Sequence, residues 1–141
     1  MKKVGYIQGT FDMFHIGHLN LFKNAKNICD ELIVAVNTDE LVFQYKHKKT
    51  IIPLEERVEI LRAVKYIDKV VVTTDRDKEK AHDIYKFNYL IMGDDWKNTP
   101  FYIEVEKKMK KRGVEVVYFP YTKGISSSKL RKIIGDDGEK D

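Results

Sequence analysis

Between residues 9 and 18 the chain reads Gly-Thr-Phe-Asp-Met-Phe-His-Ile-Gly-His, setting two imidazoles, His15 and His18, three positions apart around Gly17. Imidazole N–H groups donate to polyphosphate oxygens and steady the charge that develops at an attacked phosphorus, with no covalent intermediate required. Other chemistries fit less well. A zinc site would gain at most two ligands here, and the lone Cys29 brings neither a second cysteine nor an acidic cluster. Taken alone, His15 reads as a packed loop residue. Beside Gly9, Asp12, Gly17 and His18 it reads as part of a phosphate site.

Such a site needs a strand to deliver it and a helix to receive it. The apolar run Val4-Gly5-Tyr6-Ile7 supplies the strand, and the pattern is helical from His18 onward, through Leu19, Phe22, Ala25 and Cys29. A helix N-terminus offers free backbone N–H groups and the positive end of the helix dipole, both of which attract phosphate. Further β-rich runs stand at Leu32–Val36, Lys69–Val72, Tyr89–Met92 and Val114–Phe119, each separated from the next by enough chain for a helix. This alternation predicts an α/β fold with a parallel sheet of about five strands covered by helices on both faces. Pro53 is expected to open a helix running through Arg57 to Val64, since a proline in the first turn forfeits no hydrogen bond. Residues 40–52 mix apolar and cationic side chains without a sustained period and suit a loop or short helix.

Ligands of open α/β sheets sit beyond the carboxyl ends of the strands. Three clusters fall there. Lys46, Lys48 and Lys49 follow the second strand, as a solvated surface or as phosphate partners. Asp94, Asp95 and Trp96 follow the fourth, with no second acidic pair to make a hydrolase site; Trp96 is either a pocket wall or core. Ser126, Ser127 and Ser128, preceded by Gly124, open a last helix through Leu130, Ile133 and Ile134, where capping and phosphate binding coincide. Asp12 is open between two roles, helping to hold a metal-bound nucleotide and orienting a backbone N–H.

Composition narrows the class. With 141 residues, one domain over residues 1–134 is expected, followed by a polar tail at 135–141 that is either a frayed end or a junction to another domain. The net charge of +4, from 26 basic and 22 acidic residues, is too small and too interspersed to mark a nucleic-acid partner. A single cysteine, no apolar signal region and no membrane-length apolar stretch give the expectation of a cytoplasmic protein without membrane insertion.

The segment Gly9–His18 and the later Gly124-Ile125-Ser126-Ser127-Ser128-Lys129 resemble, in this order, the two signatures of the cytidylyltransferase-like nucleotidyltransferases. Met92-Gly93-Asp94-Asp95-Trp96 resembles the branch whose acceptor is glycerol 3-phosphate, and the resemblance spans residues 3 to about 134. It implies a Rossmann-like nucleotidyltransferase fold that joins CTP to a small phosphoalcohol, with release of pyrophosphate. It further implies Mg²⁺ carried in on the triphosphate, a homodimer, and a product used for a cell-wall or capsule polymer or for phospholipid. On the same resemblance His15, His18 and Lys46 would act in catalysis. Gly9, Thr10, Phe11, Gly17, Lys48, Asp95, Tyr121, Thr122, Gly124, Ile125, Ser126, Ser127 and Ser128 would join the histidines in binding nucleotide, and Lys46, Lys65, Lys80 and Trp96 would meet the acceptor. Lys46 and Lys48 align only with one inserted residue, and for Lys80 a surface role is the alternative.

Two departures bear on the acceptor. The branch carries arginine where Tyr121 and Lys65 stand, so a planar bidentate fork for phosphate is missing at both places. Glycerol 3-phosphate therefore competes with phosphoethanolamine, phosphocholine or a polyol phosphate. Pro53-Leu54-Glu55-Glu56-Arg57 resembles relatives that transfer an adenylyl group from ATP. A non-catalytic nucleotide-binding module is the remaining alternative, against which the intact His15, His18 and Ser126 argue.

Overall fold

The computed structural model of the chain describes residues 2–120 and the single position 133. The predicted site residues Tyr121, Thr122, Gly124, Ile125, Ser126, Ser127 and Ser128, and the tail 135–141, lie outside the described residues.

Ten elements follow one another: β1 (Val4–Gly9), α1 (Ile16–Lys26), β2 (Glu31–Asn37), α2 (Asp39–Lys46), α3 (Leu54–Arg62), β3 (Lys69–Thr73), α4 (Lys78–Tyr85), β4 (Tyr89–Gly93), α5 (Pro100–Lys111) and β5 (Glu115–Phe119). A short 3-10 turn, Asp94–Trp96, leaves β4. The strands form one five-stranded parallel sheet in the order β3-β2-β1-β4-β5. Strand pleating sends alternate residues of β2 to opposite faces. Leu32, Val34 and Val36 pack with Phe22 and Ala25 of α1 and Val58 and Leu61 of α3. Ile33 and Ala35 join Ala81 of α4 and Tyr102, Val105 and Met109 of α5 in the other cluster. The α/β architecture with both faces covered is therefore present.

The stretch expected as loop or short helix resolves into α2. Thr38 caps it, its Oγ1 accepting from the Leu41 N–H at 3.1 Å, and Asp39 and Glu40 suit the positive end of the dipole. His47, in the left-handed conformation at φ 56°, ends it. Pro53 precedes α3 as its cap residue, and that helix stops at Arg62, short of the expected Val64.

The winding reverses at β1. The chain runs outward to β2 and β3, then returns to lay β4 on the other side of β1, so the carboxyl ends of β1 and β4 form the topological switch point. Their register runs only through Gly5↔Tyr89 and Tyr6↔Leu90, although the strands continue to Gly9 and Gly93. The two strands part toward their carboxyl ends and leave a crevice there.

Candidate active site

The residues between β1 and α1 lie at this crevice. His15 is the N-cap of α1: its Nδ1 accepts from the Gly17 N–H at 3.1 Å, while His18 Nδ1 accepts from the His15 N–H at 3.2 Å. This is a reciprocal capping box made of two imidazoles. Because each Nδ1 is an acceptor, both rings are assigned the Nε2–H tautomer, which leaves one donor on each. The rings stack with centroids 3.8 Å apart. Burial, and then the neighbouring His15, push the pKa of His18 down to about 3, so it is a neutral donor at physiological pH.

The loop is held in a strained shape. Phe11 and Met13 adopt φ of 55° and 51°, uncommon for side chains with a Cβ. Phe11 is buried, edge-on to His18 and packed on Phe22. Its ring also lies over Gly9, where an added Cβ would stand 2.7 Å from Phe11 Cζ. Between these residues, the buried Asp12 carboxylate accepts from the N–H groups of Ile51 and Ile52, both at 2.8 Å. Of the two roles open to Asp12, backbone orientation is the one seen, on a segment far along the chain.

Arg57 locks this arrangement. Its fully buried guanidinium donates to the carbonyls of Ile52 (2.9 Å), Thr10 (2.7 Å) and Asn37 (2.9 Å) and to the Asp39 carboxylate. One side chain thus ties the loop after β1, the end of β2, the start of α2 and the approach to α3. A neutral network continues sideways: Asn37 Nδ2 donates to Thr10 Oγ1 (3.2 Å) and to the Tyr45 hydroxyl (3.1 Å), and Gln8 Nε2 donates to Asn37 Oδ1 (2.9 Å). Sequence reasoning singled out neither Arg57 nor Tyr45 for the site. Arg57 stands in an acidic run that reads as solvated surface, and its partners lie up to 47 residues away.

The other predicted residues divide by position. Lys46 ends α2 next to Tyr45, and Lys48 follows the turn at His47; both are half-buried beside the segment that Asp12 anchors. Asp95 folds its carboxylate back over Gly93 at the end of β4, where an added Cβ would meet Oδ1 at 2.8 Å. Trp96 is half-buried and packs against Tyr102, 5.6 Å between centroids, at the margin of the core cluster. Lys80 lies at the carboxyl edge, at the start of α4, but is exposed and paired with Asp75 at 3.3 Å. Lys65 stands apart from these residues. It sits in the turn leading into β3, at the amino ends of the strands, with its ammonium over the Tyr66 ring, so the fold does not bring it to the crevice. Among the described residues no three His, Cys, Asp or Glu side chains gather in a metal-holding group, and no helix is long and apolar enough to cross a membrane.

A parallel sheet with a splayed switch point, and a helix start presenting two imidazole donors, define a nucleotide-binding α/β protein of the nucleotidyltransferase kind. The cytidylyltransferase-like family profile matches residues 6–133, and the chain belongs to that family. It is 38% identical to the glycerol-3-phosphate cytidylyltransferase of Bacillus subtilis over 135 residues, covering 95% of this chain and 98% of the relative. It is also 35% identical to the FAD synthase of Thermococcus kodakarensis, over 91% of this chain and 87% of that one. Among solved structures, the lipopolysaccharide core biosynthesis protein of Thermoplasma volcanium superposes with a TM-score of 0.74 at 25% identity, covering 89% of this chain and all of the other.

Proposed function

We propose that the chain is a cytidylyltransferase that makes CDP-glycerol and pyrophosphate from CTP and glycerol 3-phosphate. The observation that carries this reading is the pair of imidazoles at the start of α1, held as donors beside the crevice. A phosphate oxygen of the acceptor attacks the α-phosphorus, the bond from that phosphorus to the oxygen bridging it to the β-phosphate breaks, and the electron pair leaves with pyrophosphate. His15 and His18 donate to the α-phosphate oxygens as charge builds. The Thr10 and Phe11 backbone receives the nucleotide over Gly9, Lys46 and Lys48 neutralise phosphate oxygens, and Asp95 and Trp96 border the base and acceptor. The serine-rich start of the last helix receives the leaving pyrophosphate in this reading, and Mg²⁺ enters as part of the nucleotide substrate. A cytoplasmic homodimer belongs to the same proposal.

Preference for CTP rests on Asp94-Asp95-Trp96 and on the similarity to glycerol-3-phosphate cytidylyltransferases across nearly the whole chain. A second reading, adenylyl transfer from ATP, is favoured by the likeness to FAD synthases. Pyrophosphate release measured with CTP and ATP against a panel of phosphoalcohols separates the two. At least tenfold higher kcat/KM with CTP is expected; equal or better use of ATP would replace cytidylyl by adenylyl transfer. Absence of turnover with every pair would leave only a nucleotide-binding module.

A further inference from the structure

We infer that Gln8 and Asn37 form a one-way relay of amide hydrogen bonds which, closed by the Tyr45 hydroxyl, turns the Thr10 hydroxyl outward as a donor to the phosphates of the nucleotide. The inference rests on the reading above and adds Gln8, Asn37 and Tyr45 to it as positioning residues. None of them is among the residues singled out from the sequence, and Thr10 is placed in the site for its backbone.

Polarity is dictated at the Gln8 end. A side-chain amide has an accepting and a donating end, and its neighbours decide which way round it sits. The Lys78 ammonium, which can only donate, lies 2.7 Å from Gln8 Oε1. The Asp75 carbonyl, which can only accept, lies 2.9 Å from Gln8 Nε2. Turning the amide over would set its NH₂ against an ammonium and its oxygen against a carbonyl oxygen, so two neighbours force one orientation. The remaining N–H of Gln8 then donates to Asn37 Oδ1 at 2.9 Å, which fixes Asn37 with its own NH₂ toward the hydroxyls of Thr10 and Tyr45. Asn37 is buried, and Arg57 holds its backbone carbonyl at 2.9 Å, which keeps the relay in place.

Counting hydrogens gives the outcome. Asn37 Nδ2 donates to Thr10 Oγ1 at 3.2 Å and to the Tyr45 hydroxyl at 3.1 Å, and these two oxygens lie 3.1 Å apart. Both oxygens accept from Asn37, neither can donate back to its NH₂, and their mutual contact takes up only one of the two hydroxyl hydrogens. The other faces out of the triangle, where no acceptor among the described residues meets it. A phenol is the more acidic hydroxyl and the stronger donor, so the inner bond runs from Tyr45 to Thr10 and the outward hydrogen belongs to Thr10. Thr10 follows β1 at the switch point and is half-buried, at the place where the nucleotide is received. A donor aimed before the ligand arrives needs no reorganisation and suits phosphate oxygens, which only accept. A relay running the other way, with Asn37 Oδ1 toward the hydroxyls, would draw both hydrogens inward and present only lone pairs to a polyanion.

Gln8→Glu reverses the relay without changing its size: the new carboxylate accepts from Lys78 but cannot donate to Asn37, which then turns its NH₂ toward residue 8 and its oxygen toward the hydroxyls. Steady-state pyrophosphate release, with CTP and glycerol 3-phosphate each varied, compares the wild type, Gln8→Glu, Gln8→Met, Thr10→Val and the Gln8→Glu/Thr10→Val double variant. Circular dichroism verifies folding. Gln8→Glu and Thr10→Val should each raise KM for CTP about tenfold, the scale of a lost hydrogen bond to a charged group, with acceptor KM within twofold. Gln8→Met, which removes the relay's direction without reversing it, should fall between. The double variant should be no worse than Thr10→Val alone, because both changes act through one hydrogen. A merely structural role of Gln8, or direct repulsion of the polyphosphate by the new carboxylate, would persist in the Thr10→Val background. That persistence, or an unchanged KM for CTP in folded Gln8→Glu, would overturn the inference while leaving cytidylyl transfer standing. If Gln8→Glu does not fold, Gln8→Met, alone and combined with Thr10→Val, decides in the same way. Should the wild type turn over no substrate pair, the functional reading fails first. Calorimetry with CTP and Mg²⁺ then reads the donor directly: tighter binding to the wild type than to Gln8→Glu upholds it, and equal binding or none overturns it.

Discussion

Two strand-to-helix junctions stand at the carboxyl edge of the same sheet and treat negative charge in opposite ways. At the start of α1 the capping groups are imidazole nitrogens, so the helix terminus is satisfied by neutral acceptors and its positive end keeps its pull on an anion. At the start of α4 the cap is the Asp77 carboxylate, which accepts from the Glu79 N–H at 2.9 Å and the Lys80 N–H at 3.1 Å and places its own negative charge there. A phosphate could use the first helix terminus directly. Near the second, Arg76 and Lys78 flank Asp77 in sequence. The same backbone problem, orphan N–H groups, is thus solved with neutral groups at one junction and with a carboxylate at the other.

The most severe way to break this comparison is to give α1 the cap of α4. Asp is as good an N-cap as any residue, so His15→Asp should change stability by no more than about 1 kcal/mol. Its carboxylate would nevertheless repel the polyphosphate, and one transition-state donor would be gone. Turnover is expected to fall at least a hundredfold, roughly 3 kcal/mol, and His18→Ala should match it by loss of a donor alone. Thermal melts and pyrophosphate release measure both sides. A folded His15→Asp variant with near wild-type turnover would show that the cap's charge is irrelevant.

Smaller, and specific to the second junction, is a pH effect. The groups facing the Lys78 ammonium are Arg76, Asp75 and Asp77 from its own segment and the Phe101 and Tyr102 rings of α5, with the neutral Gln8 from β1. With a pKa of about 7 in the free protein, Lys78 is charged below that pH and loses its proton above it. The unfolded chain holds this proton up to about 10.5, so folding should become more favourable as pH rises from about 7 toward that value. In Lys78→Met that rise, read from urea midpoints, should vanish. An unchanged rise in that variant would assign it to another group.

What the sequence disclosed about these junctions follows from where each interaction is encoded. Strand runs such as Leu32–Val36 and the loop Gly9–His18 carry their information locally, in alternation, in glycine positions and in the spacing of two histidines, and the structure sets the loop at the switch point. Both alternatives for Asp12 were readable, but not that its partners would be Ile51 and Ile52. Arg57 follows two glutamates and Lys78 stands within the alternating-charge run of residues 75–80; both look solvated until the sheet order brings Thr10, Asn37 and Gln8 to them. Lys65 shows the converse, a charge matched by type whose place on the amino edge only the turn into β3 reveals.

Tyr45 joins the two junctions, and it gives the finest test. Its hydroxyl lies 3.1 Å from Thr10 Oγ1 and accepts from Asn37 Nδ2 at 3.1 Å, while its ring lies over Arg76. Removing the hydroxyl alone, in Tyr45→Phe, forfeits hydrogen bonding worth about 1 kcal/mol on the nucleotide side and leaves the stack intact. KM for CTP should then rise about threefold, with acceptor KM unchanged. Tyr45→Leu removes the ring as well, and the lost cation–π contact should lower stability by about 0.5–1 kcal/mol beyond Tyr45→Phe. Thr10 and Asn37 keep their mutual 3.2 Å bond in both variants, so the loop itself stays tethered and the two effects separate. If Phe and Leu lowered stability equally, Arg76 would not depend on the ring for its position, and the two junctions would be coupled only through the Gln8–Asn37 amides.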